Sequence, residues 1–255
     1  MLGPILDSVR TRLDSEIRRL EYWRAAAASA PPARDFGRAL AAPGLSVVAE
    51  VKRRSPSAGD IDPGLDPAAL AMRYAAGGAA AISVVTEPDH FGALPGDLER
   101  VRAATEIPVL RKDFILHPAQ VWQARAMGAD AVLLIAAILD DAALVDLAAA
   151  AAETGMAALV EVHTADEARR AVDAGAAVIG VNNRDLASFR VDLGTAERLR
   201  PVLGDAAVTV AESGVSSPVA AERMRRAGYD AVLVGEAAVR SGDPQAFVAS
   251  LLGSR

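Results

Sequence analysis

The stretch GMAALVEVHTADEARRAVDAGAAVIGVNN at 155–183 decides the fold. It holds two copies of one signal, a glycine leading straight into an apolar, β-branched run: Gly155 before MAALVEV and Gly175 before AAVIGV. Such a glycine closes a helix and hands the chain to a buried strand. Working outward, the signal recurs at Gly78 before AAAISVV, Gly128 before ADAVLLI and Gly228 before YDAVLVG. The intervals are 50, 27, 20 and 53 residues. With the long ones read as double steps, the spacing averages about 25, the size of a βα unit. The gaps contain two more strands, Pro108 to Lys112 and Ala206 to Glu212, and Ser46 to Lys52 precedes them all. Helical patterns such as Pro67 to Ala76, Pro118 to Met127 and Asp140 to Glu153 follow the strands. Eight parallel strands with short connections predict an α/β fold, a (β/α)8 TIM barrel. The competing doubly wound sheet would place GxGxxG after its first strand, where this chain has RRSPSAG at 53–59.

A length of 255 residues suits one such barrel, so residues 1–255 read as a single barrel domain. Residues 1–44 stand outside the repeat as an N-terminal helical extension. Leu6, Val9, Leu13, Ile17 and Leu20 share one face of a helix predicted from Leu6 to about Ala28, ended by Pro31-Pro32. A short helix over Phe36 to Ala41 follows, and the extension is placed either under the barrel floor or beside its mouth. The formal charge of −6 and pI of about 5.2 provide no basic field for nucleic acid or an anionic membrane. No cysteine is present, which excludes disulfides and thiolate chemistry and suits a cytoplasmic location. The most apolar run, Ala131 to Leu139, is too short to span a bilayer. Nothing in the sequence sets an oligomeric state.

Lys52 and Lys112 are the only lysines beside 25 arginines, and Asn182 and Asn183 the only asparagines. A guanidinium stays protonated, whereas an ammonium can exchange a proton at a usable pKa, so lysine is the cation that acid/base or Schiff-base chemistry requires. The C-terminal ends of the strands, where such barrels carry their chemistry, hold Glu50 with Lys52, Lys112, Glu161, Asn182 with Arg184, Glu212 with Ser213, and Gly235. A charge within an apolar run is costly unless paired or used, and a plain ion-pair network would not confine all of these to one end. AESG at 211–214 and LVGEA at 233–237 bring glycine backbones to the usual phosphate corner, pointing to a phosphorylated small-molecule substrate. Glu161 and His163 share a strand face, but two ligands without a third make no metal site. Arg53 and Arg54 read as surface charge or as guides for an anion.

The segments AEVKRRSPSAGDI (49–61), SVVTEPDHFGA (83–93), PVLRKDF (108–114), LVEVH (159–163), IGVNNRDL (179–186) and AESGV (211–215) together resemble the indole-3-glycerol phosphate synthase family. The resemblance runs from the N-terminal helices to the last strand. It implies an enzyme of tryptophan biosynthesis that converts 1-(2-carboxyphenylamino)-1-deoxyribulose 5-phosphate into indole-3-glycerol phosphate, releasing carbon dioxide and water without a cofactor or metal.

Under that resemblance Lys112 is the first choice for the acid that protonates the ribulose carbonyl, Glu161 and Lys52 serve the dehydration, and Glu50 orients Lys52 or relays a proton. Asn182 and Arg184 face the anthranilate end of the substrate, with Glu212 at the same mouth. Phe91, Phe114, Leu133, Leu186 and Leu233 form apolar walls. Ser55, Ser213, Gly214 and Gly235 form the phosphate cradle, to which Glu236 adds its backbone N–H while its carboxylate would repel the anion. Two other readings stand beside this one: a phosphosugar lyase with a Schiff-base lysine, and a noncatalytic phosphosugar-binding barrel.

Overall fold

The computed structural model describes residues 2–185, 188–205 and 207–252. Among these, eight strands form a closed ring: β1 (Ser46–Val51), β2 (Ala81–Val85), β3 (Val109–Lys112), β4 (Ala131–Ile135), β5 (Ala157–Val162), β6 (Val178–Asn182), β7 (Val208–Glu212) and β8 (Ala231–Val234). Each pairs in parallel with its neighbours, and β8 closes on β1 with Leu233 opposite Val48. The expected (β/α)8 barrel is therefore present. β3 starts one residue later than its sequence pattern because Pro108 has no N–H to give the ladder. Ala206, the expected start of β7, lies outside the described residues.

The five glycines that set the repeat all have left-handed backbone: φ is +91° at Gly78, +93° at Gly128, +74° at Gly155, +71° at Gly175 and +89° at Gly228. That conformation reverses the chain out of each helix, at a steric cost that any residue with a Cβ would carry. At the other end of the helices, Asp66, His117, Ser217 and Asp243 accept hydrogen bonds from first-turn N–H groups, each followed by a proline whose missing N–H costs nothing there.

The N-terminal extension departs from its expected form. α1 (Leu2–Arg18) and α2 (Leu20–Ala28) are separate helices, broken at Arg19, where ψ rises to 11°. Within α1 only the first half of the apolar stripe is covered: Ile5 and Val9 are buried, while Ile17 is 38% exposed. The extension serves both proposed places. α3 (Phe36–Leu40) buries Phe36 and Leu40 against Val48, Ala81, Leu110 and Ala131, closing the barrel floor. α1 reaches toward the mouth, where Arg12 Nη2 donates to Glu87 at 3.0 Å and Ser8 Oγ lies 3.2 Å from His90 Nε2. Among the described residues no helix is long and apolar enough to cross a membrane.

Candidate active site

Side-chain alternation sorts the strands into an outward apolar face and an inward column. On β1 the outward residues Val47, Ala49 and Val51 pack under the helices, whereas Val48 faces the barrel interior with Leu110, Leu133, Leu159, Val178, Val210 and Leu233. Two residues further along each of these strands come Glu50, Lys112, Ile135, Glu161, Gly180, Glu212 and Gly235. The apolar layer thus supports a polar layer above it. This register turns scattered sequence positions into one constellation.

Within it, Lys52 Nζ donates to Glu50 Oε1 at 2.5 Å, and Lys112 Nζ donates to Glu212 and lies 3.5 Å from Glu161 Oε2. Asn182 Nδ2 donates to Glu161 Oε1 at 3.1 Å and fixes that carboxylate from the side. Asn182 Oδ1 accepts from Arg184 N at 2.9 Å, steadying the start of the following loop. The carboxylates are nearly inaccessible, at 3% for Glu50, 4% for Glu161 and 1% for Glu212. Burial drives the Glu50 carboxyl upward, but Lys52, Lys112 and Arg184 outweigh it and hold the group below the ordinary range. Burial likewise opposes charge on Lys112, yet Glu212, Glu161 and Glu50 push its ammonium above the usual lysine value. Glu212 goes the other way: burial, with Glu161 and Glu50 adding to it, outweighs Lys112 and raises its carboxyl to about 7.

A cavity of about 490 Å³ opens over this layer. Of the residues expected to act on substrate, Glu50, Lys52, Lys112, Glu161, Asn182 and Arg184 line it. Phe91, Phe114, Leu133 and Leu233 form its apolar walls, the two phenylalanine rings 6.1 Å apart between centroids. Ser55, Ser213, Gly214, Gly235 and Glu236 line it as well. Glu212 does not reach the cavity but meets Lys112 from beneath, in space left by Gly180; a Cβ at 180 would overlap the Glu212 Oε1. Gly235 serves a similar purpose, since a Cβ there would come within 2.5 Å of Glu50 Oε1 and 3.2 Å of Lys52 Nζ. Leu186 lies outside the described residues.

Several contributors escaped the sequence reading. Asn183, noted only for its rarity, is 1% exposed; its Nδ2 donates to the carbonyls of Glu212 (3.1 Å) and Ser213 (3.2 Å), and its Oδ1 accepts from Ala196 N. Those bonds hold Ser213 at φ +62°, a left-handed backbone unusual for serine, at the cavity wall. Phe189 and Arg240 also line the cavity. Arg240 Nε lies 3.1 Å from Glu236 Oε1, one helical turn away, and balances that carboxylate's charge. Arg53, read as surface charge or an anion guide, is instead 7% exposed and paired with Asp97, its Nη2 to Oδ1 distance being 3.1 Å. Its partner lies 44 residues away, so the pairing has no local sequence signature. His163 turns from Glu161 to other partners: its Nδ1 lies 2.7 Å from the Asn182 carbonyl and its Nε2 3.5 Å from Asp185.

The family model of indole-3-glycerol phosphate synthase matches residues 4–251. The chain belongs to the indole-3-glycerol phosphate synthase family. An indole-3-glycerol phosphate synthase of Streptomyces griseus subsp. griseus is 50% identical over 256 residues, covering 100% of this chain and 95% of the relative. One of Mycobacterium ulcerans is 52% identical over 254 residues, covering 99% and 93%. Members of the synthase family are carboxy-lyases of tryptophan biosynthesis. Among solved structures, a 3-hexulose-6-phosphate synthase superposes with a TM-score of 0.63 at 18% identity, over 81% of this chain and 98% of that one. At that identity the superposition speaks for the barrel alone.

Proposed function

We propose that this chain closes the indole ring of indole-3-glycerol phosphate, acting on 1-(2-carboxyphenylamino)-1-deoxyribulose 5-phosphate with loss of carbon dioxide and water. The observation that carries the reading is that the chain's only two lysines stand in one cavity, each ammonium held by a buried barrel carboxylate. In this scheme residues 1–255 act as one barrel unit, with residues 1–44 as its floor and flank.

Ring closure begins when the aromatic carbon bearing the carboxylate attacks C2 of the ribulose chain. Lys112 gives its proton to the carbonyl oxygen as negative charge develops there, and Glu161 and Glu212 keep the ammonium charged and aimed until then. Departure of carbon dioxide returns its bonding pair to the ring. The hydroxyl left at the former C2 then leaves as water, its proton supplied by one of the Glu161–Lys52 set and a ring proton taken by the other. Glu50 holds Lys52 charged, and Asn182 holds Glu161 in place. Arg184 suits the anthranilate carboxylate, because a guanidinium can donate to both oxygens. Phe91, Phe114, Leu133 and Leu233 exclude water around the aromatic ring, and Leu186 is proposed for the same wall. Ser55, Ser213, Gly214, Gly235 and the Glu236 backbone receive the phosphate, with Lys52 between that corner and the reacting carbons.

A Schiff-base lyase needs a neutral lysine as nucleophile, and the carboxylates around Lys112 favour its charged form. Mixing the protein with the substrate in excess EDTA and following indole fluorescence tests the proposal. Product should accumulate, and no borohydride-trapped adduct should form; an inert mixture or a trapped lysine adduct would reject it.

A further inference from the structure

A second cavity, of about 520 Å³, lies outside the barrel between the N-terminal helices and the outer face of β3. Val9 and Glu16 of α1, Trp23 of α2, Met127, and Arg111 with Asp113 of the β3 segment all line it. Arg111 and Asp113 flank Lys112, and Asp113 borders both cavities. The two sites therefore share a wall.

Two polar atoms here are buried and lack a hydrogen-bond partner among the described residues: the acceptor Glu16 Oε2 and the donor Trp23 Nε1. Burial holds the Glu16 carboxyl above its ordinary range, against the pull of Arg111, Gln123 and Arg12. Neither arginine is available to Glu16 as a direct partner. Arg12 is engaged by Glu87 and Asp89, and Arg111 by Thr86, Gln123, Asp113 and the Gln120 carbonyl. Buried polar atoms ordinarily find partners, so a donor for Glu16 has to come from outside the fold. Water could supply one, but Val9, Leu94 and Met127 give the cavity apolar walls that suit an organic body better. A cleft of this size, with apolar walls and a few unspent polar groups, is what small-molecule sites look like.

We propose that this cavity binds a small organic ammonium ion on a compact apolar or aromatic body, its charge on Glu16 and an acceptor oxygen meeting the Trp23 N–H. The carboxylate fixes the sign of the ligand charge, and the apolar walls set its size. Because Gln123 lines the cavity and accepts from Arg111 Nη1 at 2.8 Å, an occupant touches a group bonded to the arginine that precedes Lys112.

The chain's two tryptophans make the test direct, since Trp122→Phe leaves Trp23 as sole reporter. Tyramine, an ammonium on a phenol ring, is the probe, added at about pH 8 where amine and carboxylate are both charged. Trp23 emission should change saturably, with a dissociation constant on the order of 1 mM for so small a molecule. Glu16→Gln should weaken the response about tenfold by removing the charged acceptor. Val9→Phe, which fills the cavity, should abolish it, and 3-(4-hydroxyphenyl)propionate, with the charge reversed on the same ring, should give no saturable change. No saturable response to tyramine, an equal response in Glu16→Gln or in Val9→Phe, or an equal response to the propionate would overturn the proposal.

Discussion

Glu212 meets Lys112 from inside the barrel, one layer below the cavity, and does so because residue 180 lacks a side chain. In the proposed scheme the carboxylate acts on the substrate through the ammonium. It lies in the inward column with Gly180 and Asn182 on the adjacent strand, Asn182 directly opposite it in register. A position that reads in sequence as one more polar group at the mouth is, in space, the support of another.

Gly180→Ala tests that relationship. The added methyl overlaps the Glu212 carboxylate, so either β6 or Glu212 must shift, at roughly 1–3 kcal/mol of stability. Turnover should fall at least about tenfold as Lys112 loses its support. A variant with unchanged melting temperature and unchanged turnover would show that the packing at 180 is loose.

Glu212 also makes a pH prediction. Its folded carboxyl titrates at about 7 against an ordinary 4.5, so the folded state binds this proton more tightly than the unfolded chain. The associated stability is full below pH 4.5 and is lost as pH rises through about 7. Glu212→Gln removes this titration, so the melting temperature of the wild type minus that of the variant should decline between those values. A flat difference would mean that Glu212 stays ionised throughout.

Glu161→Gln keeps the shape of the side chain and an oxygen for the Asn182 amide but cannot exchange a proton. Turnover should drop by roughly 10² to 10⁴ while the protein still melts cooperatively. Loss of the cooperative melt, with normal activity per folded molecule, would make Glu161 a structural residue.

The anion corner is better probed at Arg240 than at Gly235, where any side chain would also strike Glu50 and Lys52. Arg240→Ala strips the Glu236 carboxylate of its partner, and inorganic phosphate should then inhibit roughly threefold to tenfold more weakly, with little change in kcat. Glu236→Ala in the same background should restore it. Unaltered inhibition in the single variant would place the phosphate elsewhere.

The barrel was legible because its glycines were: each of the five repeat positions has the positive φ that the sequence signal implied, and strand alternation did the rest. Glu50, Lys52, Lys112 and Glu161 were legible because charge inside an apolar strand is costly and therefore conspicuous. The pairing of Arg53 with Asp97 was not, since it depends on the loop after β1 meeting the first turn of a helix 44 residues away. Nor was the break at Arg19, where neither glycine nor proline marks the helix end. The role of Asn183 was hidden for a different reason: it acts on the backbone of Glu212 and Ser213, and backbone carbonyls leave no mark in a sequence.

Lys112→Arg tests the account most directly, because it keeps the charge between Glu161 and Glu212 while replacing the ammonium that donates the proton by a guanidinium that does not give one up. Measured by indole fluorescence under single-turnover conditions, ring closure should slow by roughly 10² to 10⁴ with a much smaller change in substrate affinity. Near-normal turnover in this variant would contradict the assignment of Lys112 as the acid.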